Sequence, residues 1–172
     1  MAQPRILVAC IGNIFLGDDG FGVEVARALA ERTLPAEVRV GDFGIRGLDL
    51  AYSLMDGYDL TIFVDAAPRG EQPGTLYLIE PDLSELEELD AEQMLVEPHG
   101  MNPVKVLNMA RSMGVRFRKI LIVGCEPATL GPEEGQMCLS EPVAAAVVDA
   151  ADMIESLVSR ELSESSVAFA NA

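Results

Sequence analysis

"ACIGNIFLGDDGFGVEVARAL", residues 9–29, decides how the chain folds. An apolar run that begins near Arg5 breaks at Gly12-Asn13, passes the adjacent aspartates Asp18 and Asp19, and enters an amphipathic stretch. "RILVACI" (5–11), apolar without a break after Arg5, has the pattern of a strand covered on both faces. From Phe21 to about Arg32 the period changes. Phe21, Val25, Ala28 and Leu29 recur at helical spacing, with Glu24, Arg27 and Glu31 opposite. A buried strand that feeds a helix through a glycine-containing loop is the opening unit of an α/β fold. Nucleotide-binding proteins use such a junction too, but two carboxylates at a helix N-terminus repel phosphate. Asp42, near the end of the next strand, could serve as the ribose-binding acid of a dinucleotide site. The first turn speaks against that reading, because Cys10 and Gly12 do not make G-x-G.

The pattern continues outward. Residues 37–43 alternate like a strand and end at Asp42, and a glycine loop then leads into a second helix closed near Gly57. "LTIFVDAA" (60–67) is a further buried strand ending at Asp65, and "TLYLIE" after Pro73-Gly74 is a short edge strand. Residues 82–97 are acidic and read as a solvated loop with a helical turn. A helix over 101–114, a buried strand over 119–127 and a long helix over 141–160 complete the series. The expected architecture is a three-layer α/β/α fold with a mostly parallel sheet, one domain over 1–160, and a mobile tail over 161–172.

Composition narrows the function. The chain has 172 residues, 49% of them hydrophobic, enough to bury one core without disulfides. A net charge of −16 disfavours nucleic acid and anionic membranes as partners. No apolar run nears the roughly 18 residues of a spanning helix, and no basic segment leads into one at the start. The three cysteines, Cys10, Cys125 and Cys138, form no C-x-x-C pair. A soluble cytoplasmic protein, acting as a monomer, is expected.

In parallel sheets ligands bind beyond the carboxyl ends of the strands. Four strand ends bring Gly12 to Asp19, Asp42, Asp65 and Cys125-Glu126 to one rim. The loop "VEPHGMN" adds His99, the single histidine of the chain. Asp19, Asp65 and His99 would make an O, O, N set that suits a divalent metal and leaves positions open for substrate. Simpler roles compete with this one. Asp18 or Asp19 could cap the helix that follows, Asp65 could cap a turn, and Asp42 could bond its own backbone ahead of Gly44. A Ser-His-Asp hydrolase has no G-x-S-x-G elbow to support it. A Cys125–His99 pair is geometrically possible, yet a packed core thiol accounts for Cys125 equally simply.

"IGNIFLGDDGFG", "DFGIRGLDL", "VDAA" and "EPHGMN", in this order and on these elements, resemble the hydrogenase maturation proteases. The likeness runs from about Ile6 to Ala151 and includes "ILIVGCEP". It implies a twisted five-stranded sheet with the "TLYLIE" strand antiparallel. It also places the family's metal-contacting trio on Asp19, Asp65 and His99. The first acid is Glu in some members and Asp here, and Cys10 stands where many members have glycine. The implied activity is an aspartyl-type endopeptidase that trims the C-terminus of a nickel-loaded nickel-iron hydrogenase large-subunit precursor. Nickel, carried by the substrate, is the implied recognition element, with another divalent metal at the same site as the alternative. Asp42, Gly44 and Gly47 are then expected to shape the peptide cleft. A metal-sensing or chaperone-like binding module with the same pocket and no hydrolysis is the competing function.

Overall fold

The computed structural model of the protein describes residues 4–85, 103–131 and 137–170. Five strands form one sheet: β1 (Ile6–Ile11), β2 (Val38–Gly44), β3 (Leu60–Ala66), β4 (Leu76–Ile79) and β5 (Lys119–Cys125). Four helices cover it: α1 (Phe21–Ala30), α2 (Gly47–Leu54), α3 (Pro103–Ser112) and α4 (Glu141–Ala170). The strand order is β2-β1-β3-β5-β4, with β4 antiparallel to β5 and every other pair parallel. The three-layer, mostly parallel architecture expected from the sequence is therefore present.

The alternation of β1 explains its unbroken apolar run. Ile6, Val8 and Cys10 point into one core with residues of α1 and α4. Leu7, Ala9 and Ile11 point into the other, with residues of α2 and α3. Successive side chains of a strand face opposite ways, so a central strand needs apolar residues at every position. Edge strand β2 is buried throughout only at Phe43, which matches its mixed composition.

The order of the strands fixes where a ligand can bind. From β1 the chain crosses through α1 to β2 on one side, then returns through α2 to β3 on the other. The direction reverses between β1 and β3, and the two outgoing connections splay apart there to leave a crevice. Helix α1 starts directly on this crevice. A Cβ added at Gly22 would lie 2.1 Å from the Ile11 carbonyl oxygen and 2.5 Å from that of Val64. Only glycine lets the helix backbone come so near both strand ends.

One expectation is corrected. Helix α4 does not stop at residue 160 but continues to Ala170. Glu161, expected in a mobile tail, reaches the Lys119 ammonium at 2.8 Å, and Leu162 packs against the core. The acidic stretch beyond Glu85 and the loop with His99 lie outside the described residues; Leu83–Glu85 forms a 3-10 turn. Among the described residues, no helix is long and apolar enough to cross a membrane.

Candidate active site

At the end of β1 the backbone turns through Gly12, whose φ of +142° favours glycine. A Cβ there would lie 1.9 Å from the carbonyl oxygen of Asp19, so the loop folds back onto its own start. The Gly12 N–H donates to the Gly44 carbonyl at 2.9 Å, tying the loop to the end of β2. Asn13 shapes the rest. Its Oδ1 accepts the Phe15 N–H, and its own N–H donates to Asp19 Oδ2, both at 2.9 Å. Asp19 is thereby turned back toward the strand ends. Asp65 closes β3 on the other side of the crevice, 7% exposed, with Oδ1 accepting the Ala66 N–H at 2.9 Å.

The two carboxylates feel each other. Burial, followed by the charge of Asp19, pushes Asp65 well above the ordinary aspartate range, against the pull of the Ala66 N–H. Burial also raises Asp19, opposed by the Asn13 N–H. The bonds that hold the two acids come from backbone N–H groups, of Asn13 and of Ala66. Two partly desolvated oxygen donors with mutual repulsion suit a divalent cation, whose charge would offset both penalties. The described residues contain no complete cluster of three metal-binding side chains. His99, the proposed third ligand, lies outside them.

Asp18 has a different role from the helix cap expected for it. The residue before α1 is Gly20, and no side chain caps the helix or the 3-10 turn Gly17–Gly20 ahead of it. Asp18 is instead fully buried and accepts from Ala128 N–H at 2.7 Å, Thr129 N–H at 3.2 Å and Ser140 N–H at 2.6 Å. The Ser140 hydroxyl adds a fourth bond at 2.9 Å, and the Asp18 N–H donates to the Thr129 carbonyl at 3.2 Å. The carboxylate therefore fastens the β1 loop to the segments after β5 and before α4. No local motif announces this, because its partners lie 110 or more positions away.

The remaining rim groups sort by their partners. Asp42 Oδ1 accepts the Gly44 N–H at 3.0 Å, the self-bonded turn that competed with a binding role. Glu126 accepts from Arg69 N–H at 2.7 Å, Gly70 N–H at 3.2 Å and the Tyr77 hydroxyl at 2.6 Å. These bonds, the Tyr77 hydroxyl foremost, lower its pKa and make it a brace for the loop after β3. The two buried thiols, Cys10 and Cys125, are poor nucleophiles. Burial, then the charges of Asp18 and Glu126, pushes Cys125 up to about 12, and burial and Asp42 raise Cys10 beyond the usual thiol range.

Fold and site together define a small α/β protein with a carboxylate pair at its topological switch point. The hydrogenase maturation protease profile matches residues 23–157, most of the chain beyond the Asp19 loop. The hydrogenase expression/formation protein HupM of Azotobacter chroococcum mcd 1 is 36% identical over 146 residues, 84% of this chain and 66% of its own length. The hydrogenase 2 maturation protease of Escherichia coli K12 is 31% identical over 132 residues, 76% of this chain and 78% of its own. Among solved structures, the hydrogenase maturating endopeptidase HybD from E. coli superposes with a TM-score of 0.68 at 28% identity, covering 91% of this chain and 93% of that one. The chain belongs to the hydrogenase maturation protease family.

Proposed function

We propose that this protein is the endopeptidase that removes the C-terminal extension of a nickel-loaded nickel-iron hydrogenase large-subunit precursor, acting in the cytoplasm as a monomer. The observation that carries this reading is the Asp19–Asp65 pair, two carboxylates held by backbone N–H groups at the switch-point crevice and near enough for the charge of one to act on the other. Asp19 and Asp65 would contribute oxygen ligands to the substrate's nickel, and neutral His99 a nitrogen. Three protein ligands leave coordination positions for the substrate's own groups, which makes metal loading a condition of recognition. Another divalent metal meeting the same donors is the alternative. The carboxylate not engaged at a given moment can orient the attacking water, an aspartyl type of hydrolysis. Burial of Cys10 and Cys125 argues against either as the nucleophile.

The direct test mixes the protein with a nickel-loaded precursor and follows the precursor's mass. Loss of a C-terminal peptide with wild type and none with His99→Ala is expected. Full processing by His99→Ala removes His99 from the site. Nickel-dependent binding without any loss of mass identifies a binding module instead. Cys125→Ser is expected to process at the wild-type rate in the same assay, and its inactivity in a folded state would restore the thiol as nucleophile.

A further inference from the structure

We propose that the free edge of β2, with the groove beside it, seats an extended segment of the precursor as an added sheet strand and leads it to the carboxylate pair. The inference rests on the peptidase reading above and concerns how the same site takes hold of its substrate.

β2 is paired on one side alone. The Glu37 carbonyl accepts the Ile6 N–H at 3.0 Å, so alternation turns the backbone groups of Arg39 and Gly41 toward β1. Those of Val38, Val40 and Asp42 then face outward. Two of these are already used: the Val38 N–H donates to the Pro35 carbonyl at 3.0 Å, and the Asp42 carbonyl accepts from the Arg46 guanidinium. The Val38 carbonyl, both groups of Val40 and the Asp42 N–H have no backbone partner among the described residues. A guest strand requires such a row of alternating donors and acceptors.

The space beside this row is open. A groove of about 560 Å³ runs between β2 and α2, with Gly41, Phe43, Tyr52 and Ser53 in its lining. Gly41 helps keep it open, since a Cβ there would meet the Phe43 ring at 2.4 Å. The Ser53 Oγ is buried with no hydrogen-bond partner. Leu48 and Tyr52 on α2 add an exposed apolar rim. These features favour a peptide, whose backbone engages the edge while alternate side chains enter the groove.

The edge also points to the right place. β2 ends at Gly44, whose carbonyl holds the Gly12 N–H at the root of the Asp19 loop. With strands about 4.8 Å apart, a guest lies about 12 Å from the middle of the β1–β3 crevice. About four residues of extended chain cross that distance. A substrate anchored on β2 can therefore present its next few residues to Asp19 and Asp65. The opposite edge, β4, carries the exposed Leu78 and serves as a control.

Processing kinetics on the nickel-loaded precursor test the inference. Val40→Pro removes an outward N–H from an edge strand, where proline is tolerated without loss of a ladder bond. It is expected to raise KM about tenfold with kcat retained, as loss of uniform binding does. Leu78→Lys should change neither constant. An unchanged KM in folded Val40→Pro overturns the proposal. If Val40→Pro does not fold, hydrogen exchange replaces it. Adding nickel-loaded precursor to the Asp65→Asn protein should slow exchange at the Val40 and Asp42 amides, and unchanged exchange in the bound complex overturns the proposal. Absence of cleavage by wild type would instead remove the peptidase reading, while the exchange experiment still decides whether the edge is occupied.

Discussion

Asp65→Asn is expected to lower processing about 100-fold or more and, at neutral pH, to raise the melting temperature of the free protein. Both effects have one origin. Asp65 sits 7% exposed at the end of β3, and its pKa is raised by burial and by the charge of Asp19. An acid whose folded pKa lies above its unfolded value destabilises the fold when ionised. The penalty is full above the folded pKa and disappears as pH falls below the unfolded one. The asparagine side chain retains an oxygen for the Ala66 N–H and carries no charge, so it escapes the penalty. Thermal unfolding followed by circular dichroism at several pH values measures this. The variant's advantage should be present at pH 7 and shrink on acidification through the folded pKa. A melting temperature below wild type at pH 7 would show that the ionised carboxylate is needed for packing. Activity and stability are opposed at this position, as expected where a fold holds charge for a ligand.

Asp18→Ala is expected to act in the reverse sense on stability. It strips an acceptor from the backbone N–H groups of Ala128, Thr129 and Ser140 and from the Ser140 hydroxyl. Hydrogen bonds to a charged group contribute about 1.5–3 kcal/mol each, but the freed segments can relax toward water. A loss of about 4 kcal/mol is a reasonable sum for the set. For a chain of this length it corresponds to a drop of roughly 12 °C in melting temperature. Processing should fall as well, because the loop beneath Asp19 loses its anchor. A melting temperature within about 2 °C of wild type would show that these bonds do not hold the loop.

The contrast between the neighbouring aspartates shows what could be read in advance. The apolar runs locate the strands, and the loops that leave them locate the rim, so Asp19 and Asp65 are legible as rim candidates, although local pattern leaves Asp18 and Asp19 interchangeable as helix caps. The adjacency of Asp19 and Asp65 is another matter. It depends on the order β2-β1-β3-β5-β4, which no strand encodes by itself. Local pattern offers Asp18 a cap because capping is a local rule, whereas its partners arrive from distant parts of the chain. The end of α4 was missed for a similar reason. Polar residues after Arg160 suggest a tail, yet Glu161 finds Lys119 and Leu162 finds the core. The groove beside β2 was foreshadowed only by the glycines expected to shape a peptide cleft. Its depth comes from Gly41 lying under the Phe43 ring, a tertiary fact.

The Asp18 fastening also orders events in time. Ala128, Thr129 and Ser140 are translated long after the loop they hold, so a nascent chain carries that loop without its anchor until residue 140 is free to fold. Closing so long a loop is entropically expensive and belongs to the late steps of folding. A half-made chain therefore presents its acidic pair unsecured, and the loop after the first strand is locked only once the segments that follow β5 and precede α4 have been made.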